Sequence, residues 1–183
     1  MKPILFIAAG LSMLLVYTLP VSAQSKFHVH LDYHYSLGWS ETGYNGQTLY
    51  RNNWKMHGNS LRLSALYTFA PAWEAGLGMG ADRYEEPGYN TFPLFAVLHC
   101  APLKKHRPLY SYTDIGYALK TGNSTPGLTW NIGFGYKLML KKHFGFNFQF
   151  GYNLKQFKKD HLPSENGKHF QRNSLSFGAG IIL

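Results

Sequence analysis

Four residues of types that bind metals or move protons occupy alternate positions near the start of the chain: His28, His30, Asp32 and His34. Imidazole and carboxylate together make zinc-type ligands. His34-Tyr35-Ser36, with Glu41 following, also has the composition of a base, a nucleophile and an acidic partner. Spacing limits both readings. In an extended chain the rise of about 3.3 Å per residue sets His28 and His34 about 20 Å apart, so the four cannot close on one ion. A pair such as His30 with His28 or Asp32 would need completing from another strand. His99 and His143 carry no zinc-like spacing. In His161-Leu162-Pro163-Ser164-Glu165 the histidine-serine spacing is longer and the proline disrupts a strand. These residues predict interior hydrogen bonding, with no metal, no cofactor and no catalytic residue.

The elements that position them follow from period-two alternation. Phe27, Val29, Leu31, Tyr33, Tyr35, Leu37 and Trp39 alternate with the histidines, Asp32, Ser36 and Gly38. The same pattern recurs and predicts eight strands, near 26–39, 56–70, 73–82, 91–101, 109–120, 128–140, 144–155 and 172–183. The sixth and seventh are the clearest: Trp130, Ile132, Phe134 and Tyr136 against Asn131, Gly133 and Gly135, then Phe146, Phe148 and Phe150 against Asn147 and Gln149. Around Trp54, Met56 and Gly58 the spacing departs from that of Leu61, which predicts a bulge or the end of an apolar band.

Asp32, Arg62, Glu74, Asp82, Asp114 and Lys137 all fall on the polar, glycine-rich face, and no charge falls on the apolar face of these strands. A soluble sandwich also alternates, but its outer face is normally richer in Lys and Glu than in glycine. Lipid is the environment that penalises charge on an apolar sheet face, by about 2 to 4 kcal/mol near the bilayer centre. The predicted fold is therefore all-β, a closed eight-stranded antiparallel up-and-down barrel with apolar residues outside. Eight strands leave room only for side chains, and enclosed charges need partners. The six charged residues form a predicted interior plug, with Arg62 between Asp32 and Asp114 at its centre and Glu74 and Lys137 lower.

Short connections are predicted after the second, fourth and sixth strands and longer ones after the others, the longest being 40–55 and 156–171. In these, Tyr44, Tyr50, Arg51, Trp54, Lys155, Lys158, Lys159 and Lys168 are candidate surface-binding residues, since aromatic and basic groups suit glycan or phosphate. Trp39, Trp54 and Trp130 are expected at the upper interface and Trp73 at the lower. The formal charge of +9 collects in connections, so nucleic-acid binding is not expected. Lys2, the apolar run from Ile4 to Leu19 and the small-residue end Val21-Ser22-Ala23 predict a secretory signal peptide over 1–23 and one domain over 24–183. Cys100 is the single cysteine, which rules out an internal disulfide.

On these features the chain resembles the small eight-stranded outer-membrane barrels typified by the OmpA transmembrane domain and the OmpX-like proteins. Its end, Ser176-Phe177-Gly178-Ala179-Gly180-Ile181-Ile182-Leu183, is similar to their assembly signal, with leucine where the family usually ends in phenylalanine. The resemblance implies a monomer in the outer membrane of a Gram-negative bacterium, handled by the outer-membrane insertion machinery and surrounded by outer-membrane lipid and lipopolysaccharide. It implies a non-enzymatic structural or surface-interaction role. The alternatives are a lipid A-modifying hydrolase, as in PagL-like barrels, and a small-solute channel.

Overall fold

A computed structural model describes residues 26–44, 47–52, 55–86, 88–101, 108–141, 143–158 and 169–183. The predicted signal segment lies outside them. The strands are β1 (Phe27–Tyr44), β2 (Gln47–Tyr50), β3 (His57–Ala70), β4 (Trp73–Tyr84), β5 (Asn90–Cys100), β6 (Leu109–Leu119), β7 (Gly127–Lys141), β8 (Phe144–Lys158) and β9 (His169–Ile182). Neighbours in sequence pair antiparallel, apart from the short β2, which pairs only with the far end of β1. β1 also pairs with β9 from His30↔Ile182 to Thr42↔Gln171, which closes the eight long strands into a barrel. Closure leaves these strands without an exposed edge, so their backbone polar groups are satisfied within the wall.

Alternation decides which way each side chain points. Leu77 and Phe134 are 72% and 66% exposed on the outside, while Arg62 and Asp114 are 5% exposed within. The inner glycines make room for the large residues: a β-carbon at Gly135 would collide with the Tyr110 ring, and one at Gly78 with the Phe95 ring. Leu66, Phe95 and Val97 form a small apolar cluster inside the wall.

Three expectations are corrected. β1 and β8 run on to Tyr44 and Lys158, so much of the predicted long connections is strand. Of the two readings of the spacing near Met56 only the bulge is corrected: β3 keeps its parity, with Met56 and Gly58 on the same buried side as Arg62, while outward His57 and Asn59 lie beyond the apolar band that begins at Leu61. A register shift that reverses a charged side chain falls instead in β1, where the pairing with β9 shifts between Gly38 and Ser40; the extra residue turns Glu41 into the interior. The connection lengths are also less regular than predicted, since the stretch between Cys100 and Leu109 exceeds that between Tyr84 and Asn90.

Candidate functional site

The chemistry-bearing side chains converge in the barrel interior, in tiers counted upward from the end that holds Phe27 and Leu183. In the lowest tier, Glu74 from β4 binds Lys137 from β7. His99 Nδ1 of β5 stands 3.4 Å from the same carboxylate oxygen. The Lys137 ammonium lies 5.1 Å from the Tyr110 ring centroid, and the His99 ring 4.5 Å from it. Glu74, His99, Tyr110 and Lys137, with Trp73, border a cavity of about 140 Å³ at this mouth.

Arg62 and Asp114 form the central pair, Nη1 to Oδ2 at 2.9 Å, bridging β3 and β6 across the lumen. Arg62 Nε donates to Ser60 Oγ at 3.2 Å, and the guanidinium carbon lies 5.0 Å from the Phe95 centroid. With its amide oxygen turned toward Arg62, Asn131 accepts from Nη1 at 2.7 Å and Nη2 at 2.8 Å. Asp32 is not ion-paired with Arg62, although the two are cross-strand partners in register. It accepts from Asn147 Nδ2 at 2.9 Å; Asn147 in turn accepts from the Tyr110 hydroxyl at 2.6 Å, and that hydroxyl accepts from Gln149 at 2.9 Å. Arg62 turns away from β1 because β4 carries Gly80 beside its stem, so the long side chain reaches Asp114. The predicted centre is thus divided between an ion pair and a neutral-donor chain.

Higher up, Asp82 is a hub. It accepts from Ser60 at 2.5 Å and Thr91 at 2.8 Å and is paired with Lys155 Nζ at 3.0 Å. Lys155 is fully buried here, which corrects its prediction as a surface loop residue. The signal was present: Asn147, Gln149, Gly151 and Asn153 form the inner column of β8, and Lys155 is its next member. At the top, Arg172 Nε donates to Glu41 Oε2 at 2.6 Å and Nη2 to the Glu86 carbonyl at 2.5 Å. Its guanidinium lies 5.5 Å and 5.6 Å from the Tyr84 and Phe157 ring centroids. Tyr84, Phe157 and Phe170 pack into a buried cluster over the lumen. Sequence reasoning missed this cap, because only the β1 irregularity brings Glu41 inside.

Among the histidines of β1, His34 Nδ1 is 3.1 Å from Ser176 Oγ, both buried. That base and hydroxyl are enclosed by the wall and face the lumen. His30 is also enclosed, its ring 5.7 Å from that of His99. The void among His30, Asp32, His34, Arg62 and Asp114 is only about 10 Å³, the scale of a single water. Each charged plug residue except Asp32 has an opposite charge in contact. The arrangement ties strands together across the barrel.

Of the predicted surface residues, Tyr50 is exposed on β2 and Arg51 is exposed in the turn that follows. Tyr44 ends β1, paired with Gln47, and Lys158 ends β8, half-buried. Trp54, Lys159 and Lys168 lie outside the described residues. Trp39 and Trp130 are exposed on the upper outer wall and Trp73 on the lower.

No family model and no curated protein matches the chain. Similar solved structures include a designed transmembrane β-barrel, at 14% identity over 86% of this chain and 93% of that one, with a TM-score of 0.44. The outer membrane protein OprG from Pseudomonas aeruginosa matches at 14% identity over 86% and 94%, with a TM-score of 0.42. Neisserial surface protein A matches at 18% identity over 85% and 96%, with a TM-score of 0.49.

Proposed function

We propose that this chain is a monomeric, non-enzymatic barrel of the Gram-negative outer membrane, exported by a signal peptide over 1–23, with a structural or surface-interaction role. One observation carries this reading: the charges of the barrel sit inside, mostly in pairs, while the mid-height exterior is a continuous belt of Leu, Ile, Phe, Tyr and Met side chains. Hydrocarbon is the solvent that such a surface matches, since one exterior Arg or Lys near the bilayer centre costs about 2 to 4 kcal/mol. Arg83, Lys141 and Lys158 do face outward, but at strand ends, where a tilted strand has left the hydrocarbon.

The partners of this reading are outer-membrane lipid and lipopolysaccharide, approached by Tyr50, Arg51 and Lys158 at the upper end and by Lys159 and Lys168 of the sequence between β8 and β9, and the insertion machinery during assembly. Separation of inner and outer membranes from expressing cells tests the location; recovery in the soluble fraction would overturn it. Surface binding is tested by replacing Lys158, Lys159 and Lys168 with glutamine. Weaker binding of purified lipopolysaccharide is expected, and unchanged binding refutes this part. The interior ties favour a closed wall, so planar-bilayer recordings should show no discrete conductance, and steady unitary currents would return the channel alternative.

A further inference from the structure

The outer wall is not uniformly bulky. Across β3, β4, β5 and β6 one row reads Ala65, Leu77, Ala96, Ile115, and the row above reads Leu63, Met79, Leu94, Tyr117. The two alanines leave troughs on either side of Leu77, and the result is an apolar groove of about 530 Å³. That lies within the range of pockets that hold small ligands, about 300 to 1,000 Å³.

Above the groove the relief continues. The next outward residue on β4 is Ala81, small and exposed, and the one after it is Arg83. Arg83 is flanked in register by Asn59 on β3 and Asn90 on β5, and its Nη1 lies 3.5 Å from Asn90 Oδ1. The rise per residue puts Arg83 about 13 Å above Met79 along the strand. An apolar groove bounded above by Leu63, Met79 and Leu94 is therefore followed up β4 by Ala81 and then by an exposed guanidinium between two amides.

The ladder between these two parts is also interrupted. Pairing of β4 with β5 runs from Trp73↔Cys100 to Met79↔Leu94 and resumes only at Asp82↔Thr91. The interval contains Pro93, which has no N–H to give to the ladder. The interruption lies beside Ala81, between the groove and Arg83.

We propose that this face holds one phosphate-bearing bilayer lipid, with its acyl chains in the troughs over Ala65 and Ala96, on either side of Leu77, and the headgroup phosphate on Arg83, beyond Ala81. The inference rests on the reading that the exterior meets hydrocarbon. A guanidinium presents paired donors suited to phosphate oxygens, and Asn59 and Asn90 supply further polar contact at the same height. A free phosphate would have no use for the groove, and an uncharged lipid none for Arg83. Glu85, two residues further on, disfavours an anion above Arg83 and so sets the phosphate on the groove side.

The test uses the whole purified barrel in micelles containing equal amounts of phosphatidylglycerol and phosphatidylcholine with identical chains, read by native mass spectrometry. The unmodified protein should retain one phosphatidylglycerol in preference. Ala65→Phe with Ala96→Phe fills the troughs on an exposed surface and should reduce retention of both lipids. Arg83→Gln should keep chain binding but lower the preference for phosphatidylglycerol about two- to fivefold, the range of an exposed ion pair. Ala179→Phe, exposed on β9 away from the groove, should change neither. The site is refuted if filling the troughs leaves retention intact, if Arg83→Gln leaves the preference intact, or if Ala179→Phe removes as much lipid. Flotation with vesicles separates the two levels: a barrel that floats but fails these tests loses only the site, whereas one that does not float loses the membrane reading.

Discussion

The Asp82–Lys155 pair makes the sharpest stability prediction, because both side chains are within 1% of full burial and their other contacts are unequal. Asp82 also accepts from Ser60 and Thr91, at 2.5 and 2.8 Å, whereas the contact described for Lys155 is Asp82 itself. Asp82→Asn keeps an oxygen for one of the two hydroxyls, which donate to different carboxylate oxygens, and strands a buried ammonium. Removing one member of a buried pair costs about 3 to 5 kcal/mol, so this variant should lose that much. Lys155→Met removes the cation but leaves the carboxylate its two hydroxyl donors, so the loss should be smaller, about 1 to 3 kcal/mol. The double variant no longer contains either charge and should be more stable than Asp82→Asn alone. Reversible urea unfolding in phospholipid vesicles, followed by tryptophan fluorescence, gives all three values and the coupling between them. Equal losses for the two single variants, or losses that simply add in the double, would refute the asymmetric burial described here.

Two further outcomes follow from the wall itself. Phe134→Arg places a charge at the middle of β7 on its most exposed outward ring, and the same unfolding assay should show a loss of about 2 to 4 kcal/mol; an unchanged midpoint would mean that this ring does not meet hydrocarbon. Gly135→Leu, one residue on and inward, meets the Tyr110 ring, so the compact fast-migrating band expected of an unboiled barrel on a gel should be lost, and its persistence would place Tyr110 elsewhere.

The eight long strands were legible because an apolar exterior and a polar interior write themselves into alternate residues, from Phe27 to Trp39 and from Phe144 to Leu154. The pattern fades where a strand rises past the apolar belt: the outward residues become Thr42, Gln156 and Lys158, so strand continues with no apolar column to mark it. That is why β2 and the tops of β1 and β8 read as connections, and why Lys155 was placed on the surface. Membership of the plug was readable from parity alone, since Arg62, Glu74, Asp82, Asp114 and Lys137 all occupy even steps of the inner columns or their equivalents on β7. Partner choice was not, because it depends on how strands are offset in height and where glycine leaves a lane, as Gly80 does for Arg62. The Glu41–Arg172 contact was hidden for a different reason: a one-residue shift between Gly38 and Ser40 reverses which side Glu41 occupies.

The seam between β1 and β9 dictates a schedule. The first stave of this cask is bonded to the last, and His34 with Ser176 and Glu41 with Arg172 are joints that exist only across that seam. Until the final stave arrives, the raw margin of β1 has nothing to lie against and invites stray strands. The oldest edge of a nascent molecule therefore stays open while everything else is delivered, and the hoop tightens in a late act.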